Sequence, residues 1–127
     1  MKLVLTKVEQ DKVLLDILCN GAIGFLNSSE ITMDYSNELY KSLKQTGDNY
    51  EDVLLKIINA GGKLKFIDAD SGDYSKNLTK ESLNEALTNI ENIDFCNYVL
   101  ASLSEQSDAE TGFCLIQFIL YGELIFG

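Results

Sequence analysis

The stretch NYEDVLLKIINAGG (Asn49–Gly62), running on as KLKFIDADSGDYSKNLT (Lys63–Thr79), sets the plan of the chain. Tyr50, Val53, Leu54, Ile57 and Ile58 recur at three- and four-residue steps, which lines one face of a helix. Asp48 or Asn49 suits its N-cap, and Glu51 and Asp52 put negative charge at the positive end of its dipole. Gly61 offers the left-handed conformation that closes a helix, and Gly62 lets the chain reverse. The period then drops to two. Leu64 and Phe66 point one way and Lys63, Lys65 and Ile67 the other, as on a sheet with one wet face. Asp70–Asp73 has turn composition, so 63–68 and 74–78 form a hairpin.

On the N-terminal side, residues 2–5 alternate as a short strand would. Thr6 with Glu9 is a capping box opening a helix that carries Val8, Val13, Leu14, Ile17 and Leu18 inward. Glu9, Asp11, Lys12 and Asp16 face outward, and Asn20-Gly21 is the stop. Between 22 and 34, Ala-Ile-Gly-Phe-Leu fits a helical turn or a packed loop, and Glu30–Asp34 fits a short strand. Ser36 or Asp34 caps a second helix to about Gln45. Beyond the hairpin, Thr79 caps a helix striped with Leu83, Ala86, Leu87 and Ile90, and another starts near Ile93 with Phe95, Tyr98, Val99 and Leu103.

Asp108 opens the last helix. From Phe113 to Tyr121 every residue but Gln117 is apolar, which marks a helix buried on most sides at the centre of the core. Gly122 ends it, and 123–126 reads as a terminal strand. LLKIINAGGKLKF (Leu54–Phe66) echoes LIQFILYGELIF (Leu115–Phe126), helix, glycine, strand, which suggests that the two strands share one sheet. The expectation is one α+β domain over 1–127, mostly helical, with five to six helices and a small antiparallel sheet built on 63–68/74–78 and the C-terminal strand 123–126.

Composition narrows the chemistry. The 127 residues suffice for a core of ordinary size, and 46% hydrophobic with 24% charged residues is a globular balance. Net charge is −10, and all ten basic residues are lysine. Without arginine, the usual fork for phosphates and base edges, and with repulsive charge, direct nucleic-acid binding is disfavoured. No apolar run approaches the roughly 20 residues of a membrane span, and MKLVLTK meets charge too early for a signal-peptide core. Cys19, Cys96 and Cys114 read as buried reduced thiols, which points to the cytoplasm.

Histidine is absent, which removes His-based triads and His-metal sites, and no cysteine pair has CxxC spacing. The sharpest motif is Asp68-Ala-Asp70-Ser-Gly72-Asp73, which shares acids at alternate positions with a calcium loop. Its fifth position is Gly72 where an oxygen should stand, and its twelfth is Thr79 where a bidentate glutamate is needed. Asp68, Asp70 and Asp73 are therefore metal candidates in outline only, and fit better as turn residues. No pattern points to a cofactor or a catalytic group, although acid pairs such as Glu51/Asp52 leave carboxylate chemistry as an option. Gln117 is either a buried hydrogen-bonding group or a contact across a dimer or partner groove. Acids cluster at 48–52, 68–73, 81–94 and 105–110, as a solvated surface or as a face that imitates nucleic acid.

The segment DAETGFCLIQFILYGELIFG (Asp108–Gly127) resembles the end of small acidic proteins encoded by phages and mobile elements of Bacteroidota. The segment YEDVL…GGKLKFID between Tyr50 and Asp68 is similar to them too, and together these cover under half the chain. The resemblance implies an accessory protein that works by binding, and it brings no catalytic or binding residue with it. The expected function is non-catalytic interaction with a protein partner. A nucleic-acid-mimicking inhibitor, a carboxylate-based ligand binder or enzyme, and a homodimer are the alternatives.

Overall fold

The computed structural model describes residues 2–22, 25–26 and 30–126. Among the described residues, six helices and a three-stranded antiparallel sheet build a mostly helical α+β domain. In order, α1 (Lys7–Asp16) passes into a π turn (Ile17–Gly21), then β1 (Ile31–Asp34), α2 (Asn37–Leu43) and α3 (Tyr50–Asn59). There follow β2 (Leu64–Asp68), β3 (Lys76–Leu78), α4 (Lys80–Thr88), α5 (Ile93–Leu103) and α6 (Ala109–Tyr121).

The helix starts follow from their caps. The Thr6 hydroxyl accepts from the Glu9 amide while the Glu9 carboxylate accepts from the Thr6 amide, and the Asp52 carboxylate accepts from the Asn49 amide at 3.0 Å at the start of α3. Thr79 and Asp108 accept from the amides of Ser82 and Thr111. At the other end of α3, Gly61 takes φ +87°, the conformation a side chain resists. Asp11, placed outward by the pattern of α1, instead ties three helices: Lys80 Nζ donates to it at 3.0 Å and Asn59 Nδ2 at 3.1 Å.

The sheet runs β1-β2-β3, with Ile31 opposite Asp68, Met33 opposite Phe66 and Leu64 opposite Leu78. Leu64, Phe66 and Leu78 are buried on one face while Lys65 lies exposed on the other, as the two-residue period requires. The third strand is therefore 31–34, and 123–126 has no strand. Two groups explain the difference. β1 occupies the free edge of β2, and the amides of Ile125 and Phe126 donate to Gln117 Oε1 at 2.9 and 2.7 Å instead of to a neighbouring strand. The terminal segment folds back on its own helix.

Helix α6 is the centre of the core. Residues 114–120 are all buried, and α6 packs on the π turn, α4, α5 and β3. Helix α3 packs on α1, α2 and β2, so the 49–79 unit reaches α6 through β3 rather than through a second strand. Residues 2–6 are extended without strand pairing, and the Leu3 amide donates to the Leu87 carbonyl at 3.0 Å.

Asn20-Gly21 does not stop the first helix. The chain winds through the π turn and Ala22 is still helical, as are Phe25 and Leu26, while Ile23 and Gly24 lie outside the described residues. Gly21 serves close approach. A Cβ there would fall on the Gly112 carbonyl, and one at Gly112 would stand 2.7 Å from the Gly21 nitrogen. The two glycines let the backbones of the π turn and α6 touch.

Candidate functional site

Asp68, the sharpest sequence candidate, is buried and committed to its own turn. Its carboxylate accepts from the amides of Asp70 (3.0 Å), Ser71 (3.3 Å) and Tyr74 (3.3 Å) and from the Ser71 hydroxyl (2.8 Å). The Ser71 hydroxyl and these amides hold the carboxyl below its ordinary range against a smaller opposing effect of burial. Asp70 and Asp73 are exposed on the same turn. Among the described residues, no three acids, histidines or cysteines are grouped to hold a metal ion. Tyr121 Oη donates to the Tyr74 carbonyl at 2.8 Å, fastening this turn to α6. Burial and the Asp68 charge push the Tyr121 phenol up to about 12.

Gln117 is fully buried and its amide is used at both ends. Nε2 donates to the Phe113 carbonyl at 3.2 Å, and Oε1 takes the two amides of the terminal segment. The side chain is a structural clasp.

Two clefts of about 640 Å³ flank the sheet and the α4–α5 edge. The second has Asn89 and Asn92 on its walls, and both amides serve helix ends: Asn89 Nδ2 donates to the Glu85 carbonyl and Asn92 Oδ1 accepts from the Asp94 amide. Its acids, Glu85 and Glu91, are exposed.

A smaller cleft of about 320 Å³ lies where the π turn meets the end of α5, between Lys12, Leu15, Asp16, Cys19, Asn20, Ser102, Glu105 and Ser107. A π turn shifts side chains out of helical register and recurs at functional positions. Here it turns Cys19 outward, so this cysteine is exposed whereas Cys96 and Cys114 are buried as expected. Glu105 holds φ +62°, costly for a residue with a side chain, and its carboxylate pairs with Lys12 Nζ at 3.3 Å. Asp16 Oδ1 accepts from Asn20 Nδ2. The other carboxylate oxygen, Asp16 Oδ2, and the Ser102 hydroxyl are buried without a hydrogen-bond partner. Burial pushes the Cys19 thiol up, and the charges of Glu51, Asp16 and Asp52 push it further. The thiol is thus held protonated at neutral pH, the wrong form for a nucleophile.

Sequence reasoning missed this place. Asp16 reads as an outward helix position, Ser102 carries no signal of its own, and nothing in the chain order joins them. The signal that was present is the acid at 16 four residues before Asn20, a pair set for side-chain contact on a helix.

No family model matches the chain, and no curated protein or solved structure is similar to it.

Proposed function

We propose that this chain is a non-catalytic interaction protein, an accessory protein of a phage or mobile element, that docks through the side where α1 and α5 lie together onto a partner with a basic rim and an apolar centre. The observation that carries it is a group of exposed apolar side chains. Val4 and Val8 are 80% and 78% exposed, and Ile93 and Leu100, seven residues apart on one face of α5, are 64% and 52% exposed. Helix α1 packs on α5, and Lys12 pairs with Glu105 beyond the end of α5, so Val8 lies on the element next to Ile93 and Leu100, with Val4 in the segment that leads into α1. Lone exposed apolar residues are ordinary, but three large ones on two adjoining helices, with Val4 just before the first, suit an interface centre. Asp94 lies exposed on α5 and Glu91 and Glu105 lie exposed just before and after it, and with a net charge of −10 they favour a basic partner and repel a second copy. The resemblance to proteins of Bacteroidota phages and mobile elements supports the biological setting.

The test is capture from a Bacteroidota extract with the wild type and a Val8→Lys, Leu100→Lys double variant, whose melt should match the wild type because both sites are exposed. A specific protein retained by the wild type, released by salt and lost with the double variant fits the proposal. A protein retained equally by both refutes the docking face. A dimeric mass by light scattering that the double variant abolishes would assign the face to self-association instead. A captured protein that nucleic acid displaces would favour the mimic reading, which the net charge of −10 suits.

A further inference from the structure

We infer that the cleft between the π turn and the end of α5 is a binding site for a primary ammonium group. Ser102 is only 3% exposed, lines this cleft, and its hydroxyl meets no partner, not even the carbonyl one turn back that a helical serine commonly uses. Asp16, which lines the same cleft, has its Oδ2 buried and likewise unmet, while Asn20 holds the other oxygen and fixes the carboxylate's direction. A buried polar atom without a partner is costly, and two in one cleft of about 320 Å³ define what would satisfy them.

The missing group must donate, because a carboxylate oxygen only accepts and a serine hydroxyl accepts as readily as it donates. It should carry positive charge. The cleft is lined by two acids, Asp16 and Glu105, and the charges of Glu51 and Asp52 reach its Cys19 from outside, against a single lining cation, Lys12, already paired with Glu105. An ammonium supplies up to three donors from one compact charge, which suits two separate acceptors in one cleft, whereas a planar guanidinium needs a fork of acceptors. Leu15 provides the apolar side along which a short alkyl chain would lie. The same chemistry comes from a free alkylamine or from a lysine side chain, and this inference stands independently of the docking face.

The full-length protein, labelled for amide NMR, would be titrated with n-butylammonium, with Nα-acetyl-lysine N-methylamide and with n-butanol. Saturable shifts confined to residues 16–20 and 102–107 with either ammonium, and not with the alcohol, are expected in the millimolar range. The tighter of the two ammonium probes identifies the source. Ser102→Ala should keep the melting temperature, because its hydroxyl has no bond to lose, while weakening ammonium binding about fivefold. Asp16→Asn should weaken it about tenfold. Absence of saturable shifts, equal shifts with butanol, or a Ser102→Ala protein that melts lower yet binds ammonium unchanged would each overturn the assignment.

Discussion

Gln117 shows how one polar residue in an apolar run can direct a segment. Its Oε1 accepts two amides from the terminal segment and its Nε2 donates back to Phe113, so a same-sized apolar replacement leaves those groups to water. Gln117→Leu is expected to cost about 2 kcal/mol in denaturant unfolding. The same variant should show fast hydrogen exchange at Ile125 and Phe126 while the α6 amides stay protected. Asp68 makes a second residue-scale prediction through pH. Its folded carboxyl titrates below the ordinary 3.8, so the stability it confers is complete above about pH 4 and is lost as pH falls through the lower folded value. Asp68→Asn should flatten the fall in stability below about pH 4. Tyr121 works in the opposite direction. Its raised phenol supports the fold fully below the ordinary 10 and loses that support as pH rises through about 12, and Tyr121→Phe should remove that alkaline component from a pH series of melts. Tyr50 marks the limit of reading faces residue by residue. The helical period assigns it inward, yet it is 44% exposed, packed edge to face with Tyr35 and tilted against Tyr40. Val8 departs further, being assigned inward and standing 78% exposed.

The contact between the π turn and α6 is where element-level reasoning meets a sign test. Alanine is preferred over glycine in a helix by about 1 kcal/mol, so Gly112→Ala should stabilise α6 if propensity governs. The Cβ would instead press on the Gly21 nitrogen at 2.7 Å and on Asn20 at 3.0 Å, backbone that has nowhere to go. Overpacking of this kind costs about 3 kcal/mol, and the variant is expected to lose about 2 kcal/mol net, read from its denaturation midpoint. Helix α2 lies at the other extreme. Although Ser36 caps it, it has no buried residue, so native-state hydrogen exchange should find it the first helix to open and α6 the last. The caps at Thr6, Asn49, Thr79 and Asp108 were all legible because capping is a local matter of one side chain and an amide two or three residues on. The fate of Asn20-Gly21 was not, because whether a glycine ends a helix or lets another backbone approach depends on what packs there.

At the scale of the whole molecule, a continuous buried cluster runs from Val13 on α1 through Phe66 on β2 to Ile119 on α6, and no described helix is long and apolar enough to cross a membrane. The amino-acid sequence alone determined the α+β class, where the helices start, the hairpin and its wet face, and the central position of α6. Those follow from period, caps and turn chemistry, which act over a few residues. It also identified Asp70–Asp73 as a turn, which the carboxylate of Asp68 closes. Only the tertiary structure decided that β1 rather than 123–126 completes the sheet, that Gly21 and Gly112 meet, and that Asp16 and Ser102 face one cleft. Each of those joins residues far apart in the chain, and the choice among partners is made by backbone hydrogen bonds and excluded volume that no local pattern encodes.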